Sequence, residues 1–216
     1  MIPWIAGMGT WSWTPAAPRQ EWWRADSAFS AYLRSHGFEH ARPERPFVWS
    51  GDLDGVPILG RGNDWEAGAE ALISYCSYGE PLLERRIIGH SHFGQVALLA
   101  AAQGLTIDSL ILVGTPVRKA IERLAPAALR NIGTCLHIVD ARWDLLGFAG
   151  AVFDGRVSLR RTFDVPGIRS VRERGIGHSG LLRTPALFPR WHDRGWLDVL
   201  AGRSRVDVSG HLMTDP

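Results

Sequence analysis

The chain of 216 residues carries 24 Lys plus Arg against 22 Asp plus Glu, a formal net charge of +2, with 45% hydrophobic and 21% charged residues. That is the size and apolar content of one ordinary soluble domain with a single sizeable core, and it excludes intrinsic disorder and collagen-like repeats. Lys119 is the only lysine, and the arginines are scattered among acids rather than gathered in a run, so no nucleic-acid partner is expected. No run of 18 apolar residues occurs, and the opening Met-Ile-Pro-Trp-Ile-Ala-Gly lacks the basic and apolar regions of a secretion signal. The expectation is a cytoplasmic protein without a transmembrane segment. Cys76 and Cys135 lie in apolar segments without a C-x-x-C spacing, which points to core thiols; no metal site and no cofactor is expected.

Short apolar β-type runs alternate with longer helical stretches, the pattern of parallel βαβ units. Strands are expected over residues 3–6, 46–49, 85–88, 109–113, 136–139 and 168–172, most of them apolar throughout, as strands covered on both faces should be. Ser27 opens a helix ending near Gly37, and Asn63 or Asp64 opens a longer one through Ile73 to Tyr78. A third helix runs from Ser91 to Gly104, where glycine supplies the left-handed stop. Residues 119–131 read as a helix interrupted at Pro126, and residues 185–200 as the helix that closes the domain. The whole predicts one α/β domain over residues 1–202, a mostly parallel central sheet of about six strands with helices on both faces, and a flexible tail over 203–216. Residues 148–164 fit either a hairpin or a partial lid. Of the ten tryptophans, seven precede position 66. Most read as packing, while Trp11 and Trp13 fit either a cover for the first strand or the lining of an apolar pocket.

The chemistry is concentrated in Arg85-Arg-Ile-Ile-Gly-His-Ser-His-Phe-Gly-Gln-Val-Ala-Leu-Leu-Ala: a strand, a glycine-flanked serine, then at once a helix. This is the context of a nucleophile elbow. A serine on so tight a turn stands clear of the sheet, and the chain can pass only where neighbours two positions away are small. Gly89 meets that need on one side, whereas Phe93 occupies the matching place on the other and Gly94 follows one residue late. The bland alternative is a serine that merely caps the helix; the strand before and the Ala-rich helix after favour the nucleophile.

In these residues the chain resembles the α/β-hydrolase superfamily, specifically the small serine esterases and lipases of bacteria and their phages. His90-Ser91-His92 and Gly94-Gln95-Val96-Ala97 match that elbow, and Phe93 departs from its usual glycine. Gly7-Met-Gly-Thr-Trp11 is similar to the family's oxyanion loop, Trp49-Ser-Gly51 to the end of its fourth strand, and Gly177-His-Ser-Gly-Leu-Leu182 to its catalytic-histidine loop, all in family order. The resemblance implies a compact α/β-hydrolase fold and a Ser-acid-His chain order. His178 follows Ser91 by 87 residues in a glycine-bounded loop, where a mobile general base belongs, and imidazole titrates near neutrality. His36, His40, His137 and His192 fall at helix ends, in a strand or in the closing helix. His90 and His92 flank the nucleophile without the Asp, Glu or Cys cluster that a metal would need.

For the acid, Asp144 in Trp-Asp-Leu-Leu-x-x-x-Gly is similar to the family's acid loop and is preferred, with Asp140 at the strand's end as its rival and Asp164 third. The oxyanion donors are the backbone N–H of His92 and that of Met8 or Thr10. A phosphate loop at Gly-Met-Gly-Thr would lack its lysine. Phe93 and Trp11 are the candidates for the substrate pocket. Phe93 must point either into the packing or toward the acyl pocket, and the small-neighbour rule of the turn favours the pocket. The predicted activity is hydrolysis of carboxylic esters, lipid esters among them, through an acyl-enzyme on Ser91. The alternatives are a catalytically silent binding protein, for which Phe93 speaks, and acyl transfer to an alcohol by the same triad. The expected partner is a small-molecule or lipid ester; acyl chain, alcohol and oligomeric state carry no signal.

Overall fold

The computed structural model describes residues 1–8, 21–49, 65–79, 81–140, 162–206 and 212–214. In chain order the elements are β1 (Ile2–Gly7), α1 (Ala28–Ser35), β2 (Phe38–His40), α2 (Trp65–Ser77), β3 (Arg86–His90), α3 (Phe93–Ala102), β4 (Ile107–Val113), α4 (Lys119–Leu129), β5 (Ile132–Asp140), β6 (Ile168–Glu173), α5 (Gly180–Arg183), α6 (Pro189–Asp193), α7 (Trp196–Leu200), β7 (Ser204–Val206) and β8 (Leu212–Thr214). Strands β1 to β6 form one sheet in the order β2-β1-β3-β4-β5-β6, and every neighbouring pair is parallel. The chain steps outward from β1 to β2 and then returns to the other side of β1 as β3. In an open parallel sheet such a reversal leaves a crevice at the carboxyl ends of the strands. Gly7 of β1 is paired with Gly89 of β3 at that edge, two residues before Ser91.

Alternation along each strand divides the core in two. Ile5, Ile87, Leu110, Leu112 and Cys135 meet α2, α3 and α4 on one face. On the other, Trp4, Ala6, Ile88, Ile111, Val113, Leu136 and Ile138 meet α1 and the helices after β6. The helices therefore cover both faces, and the apolar strand runs are explained. Trp4, Trp22 and Trp191 are among the largest fully buried side chains, so much of the tryptophan content is packing.

Five of the six expected strands are found in place. The exception is 46–49, which is not a strand; the edge strand is Phe38–His40. Phe38 and His40 point inward and Glu39 outward, a three-residue pattern too short to register as a period, while Pro46 has no N–H to offer a ladder. Helix α4 runs unbroken through Pro126, correcting the expected interruption. Pro126 is on the exposed side, opposite the buried stripe Ile121, Ala125 and Ala128, so the carbonyl it leaves unpaired can be hydrated. The closing helix is three pieces: a 3-10 turn Pro185–Leu187, then α6 and α7, separated by Gly195 in a left-handed conformation. Within the expected tail, β7 and β8 pair antiparallel. Among the described residues, no helix is long and apolar enough to cross a membrane.

Candidate active site

Ser91 connects the end of β3 to α3 with a backbone φ of +52°, the only positive φ of a non-glycine among the described residues. A left-handed conformation costs a residue with a Cβ roughly 1 kcal/mol or more, and such strain persists only where the surroundings impose it. Here they do. The Ser91 N–H donates to the Val113 carbonyl at 2.9 Å, and the Ser91 carbonyl accepts from the Gly94 N–H at 3.1 Å as the helix begins. Both glycines of the elbow are required by contact. A Cβ on Gly89 would lie 3.2 Å from the Gly94 Cα, and one on Gly94 would lie 2.1 Å from the Thr115 Oγ1.

Phe93 takes the inward of its two options, which corrects the expectation that it faces the acyl pocket. Its side chain is fully buried, and its ring lies 5.3 Å from that of Phe47. The room is supplied by a distant glycine: a Cβ on Gly7 would fall 1.8 Å from Phe93 Cε1. The elbow tolerates a large residue at this position because β1 lacks a side chain where the ring must go.

His178 sits in the loop between β6 and α5 and is held by three elements. The His90 Nε2–H donates to the His178 carbonyl at 3.2 Å, and the two imidazoles are 4.9 Å apart in an edge-to-face arrangement. Gly114, which follows β4, lies beneath the ring, so that a Cβ there would meet His178 Nδ1 at 3.2 Å and its carbonyl at 2.8 Å. Asp140, at the end of β5 and 7% exposed, accepts the N–H groups of Ile176 and Gly177 on Oδ2, at 2.8 and 2.5 Å. Ser91 and His178 thus converge on one place, the two residues Val113 and Gly114 at the end of β4.

The two histidines beside Ser91 face opposite sides of the sheet. His90 lies edge-to-face with Trp22 at 6.2 Å. His92 is 4% exposed, stacks on Trp49 at 5.8 Å, meets the Trp65 ring edge-on, and has no partner for Nε2 among the described residues. Burial, with the Arg118 cation nearby, pushes its pKa down to about 3, so this imidazole is neutral at any working pH.

Met8, the other expected donor, is gripped twice. Trp49 Nε1–H donates to its carbonyl at 2.7 Å, and Trp22 Nε1–H to its Sδ at 3.2 Å. Sequence reasoning missed Trp22, Trp49, His90 and Gly114 as parts of this arrangement. His90 and Trp49 stood in motifs that carry the resemblance, and Gly114 carried a signal as a glycine directly after an apolar strand, where a close approach is common. Thr10, Trp11, Trp13 and Asp144 lie outside the described residues, as does most of 148–164. Asp164 precedes β6 and is described.

No protein-family model matches the chain, and no curated protein matches it. Solved structures do. The chain is similar to a predicted CIB-like hydrolase from Thermoplasma acidophilum, at 17% identity and a TM-score of 0.57, over 93% of this chain and 86% of that one. It is also similar to MGS-MChE2, an alpha/beta hydrolase enzyme from the metagenome of sediments of the Mar Chica lagoon in Morocco, at 14% identity and a TM-score of 0.54, over 91% of each chain. At such identities the likeness is one of architecture, and with the parallel six-stranded sheet it establishes that this chain has the α/β-hydrolase fold.

Proposed function

We propose that the protein is a serine hydrolase of carboxylic esters. The observation that carries this reading is the convergence of a strained Ser91 and His178 on Val113 and Gly114. In the reaction, His178 takes the Ser91 hydroxyl proton as Oγ attacks the acyl carbonyl, and the resulting oxyanion is met by the N–H groups of His92 and Met8. His178 then returns the proton to the departing alcohol, leaving an acyl-enzyme. Water attacks that ester with His178 again acting as base, and Ser91 is released.

The test is turnover of p-nitrophenyl esters of rising chain length as a function of pH. The rate should fall toward acid pH, because a protonated base cannot accept the serine proton. A rate that stays level down to about pH 4 would remove the imidazole from the mechanism.

The acid in this reading is Asp144, with Asp140 as the alternative. Asp140 accepts two backbone N–H groups of the histidine loop on one oxygen. On the resemblance of its loop to the family's acid loop, Asp144→Asn should lower turnover by about 10^3 to 10^4, because an amide cannot stabilise the imidazolium, while Asp140→Asn costs much less. Steady-state rates of the two variants decide it, and the opposite ranking assigns the acid to Asp140.

A further inference from the structure

We infer that Trp49 and Trp22 are positioning residues for this reaction, a pair of indoles that fix the Met8 peptide and with it one oxyanion donor; the inference rests on Ser91 being the nucleophile. An oxyanion donor works only if its N–H is aimed before charge develops, so that no reorganisation accompanies the reaction. Met8 is poorly suited to this on its own. It follows the last residue of β1, lies between Gly7 and Gly9, and carries an unbranched side chain with three rotatable bonds.

The structure supplies the missing rigidity from outside the loop. On the amino side, Gly7 is locked in register with Gly89. On the carboxyl side, the Met8 carbonyl receives the Trp49 indole N–H at 2.7 Å, and the side chain receives that of Trp22 at 3.2 Å. The Met8 N–H stands between these restraints.

The indoles are themselves buried and packed on more than one side. Trp49 is 5% exposed and stacks on His92, the other donor residue, while Gly68 of α2 is so close to its far side that a Cβ there would lie 2.7 Å from Trp49 Cε3. Trp22 is 1% exposed and packs edge-to-face on Phe29 and on His90, which holds the His178 carbonyl. One indole therefore links the two oxyanion residues, and the other links the oxyanion loop to the histidine loop.

The experiment compares wild type with Trp49→Phe and Trp22→Phe, each of which keeps an aromatic ring and removes the N–H. Rates on p-nitrophenyl butyrate are normalised to sites titrated to completion with a fluorophosphonate, so that only folded, competent molecules are counted. Loss of a whole oxyanion donor costs about 10^2 to 10^3 in kcat. Loosening one should cost less, roughly 10- to 100-fold for Trp49→Phe and several-fold for Trp22→Phe, with KM within about two-fold in both. An alkyl boronic acid, which mimics the tetrahedral state, should bind more weakly in proportion to the fall in kcat. Unchanged kcat per titrated site in both variants, or a rise in KM alone, overturns the clamp. A wild type that neither hydrolyses the ester nor takes the fluorophosphonate overturns instead the assignment of Ser91 on which the clamp rests. If Trp49→Phe yields too few titratable sites, Trp22→Phe and the boronic acid affinities carry the decision.

Discussion

Ser91→Ala should lower kcat on p-nitrophenyl esters by about 10^4- to 10^6-fold without lowering the melting temperature. The magnitude follows from what remains. With the nucleophile gone, the oxyanion donors and substrate binding still act, but no acyl-enzyme can form, and a triad that functions as a unit loses nearly everything with one member. Stability should be insensitive, because the bonds that shape the elbow run through the Ser91 backbone, to Val113 and from Gly94, and survive the change. The φ of +52° adds a second readout. Ser91→Gly should be as inactive as Ser91→Ala, yet no less stable, since glycine adopts the left-handed conformation without the Cβ clash. Circular dichroism melts and initial rates check both statements, and a Ser91→Ala variant retaining more than about a tenth of the activity would place the nucleophile elsewhere.

Phe93→Ala should cost about 3–5 kcal/mol, the range for truncation of a buried phenylalanine. For a chain of this size that corresponds to a fall in melting temperature of roughly 6–20 °C. The ring is fully buried, against Phe47 on one side and the backbone of Gly7 on another, so its removal leaves a void between β1, β3 and α3 that the sheet cannot close. Chain-length preference among p-nitrophenyl esters should be unchanged, because the ring does not reach the surface of the crevice. A preserved melting temperature with a shift toward longer acyl chains would restore Phe93 to the pocket.

What was legible in the sequence was whatever depends on near neighbours along the chain. The strand runs at 109–113 and 136–139 announced buried parallel strands, and the Gly89-His-Ser91 triplet before an Ala-rich helix announced a tight strand-to-helix turn, at which Ser91 has a φ of +52°. What was not legible depends on partners far away in sequence. The direction of Phe93 is decided by Gly7, which lies on another strand. The edge strand Phe38–His40 exists because β1 offers a free ladder, not because three residues have a detectable period. Trp49 in the stretch 46–49 reads as an apolar strand residue, but its indole N–H finds its acceptor at Met8 across the crevice. For Asp140, position at a strand end raised it as a candidate acid, whereas only the fold shows that its carboxylate holds the N–H groups of Ile176 and Gly177. Asp144, on which the resemblance relied, is outside the described residues, so kinetics must assign the acid.

The most direct test of the central claim, that Ser91 is an activated nucleophile served by His178, is to treat the folded protein with a fluorophosphonate and map the adduct by peptide mass spectrometry. The account predicts a single phosphonylated peptide, modified at Ser91, with the adduct absent in Ser91→Ala and formed far more slowly in His178→Ala. An adduct that persists in Ser91→Ala, or a correctly folded wild type that takes no label at Ser91, would contradict it.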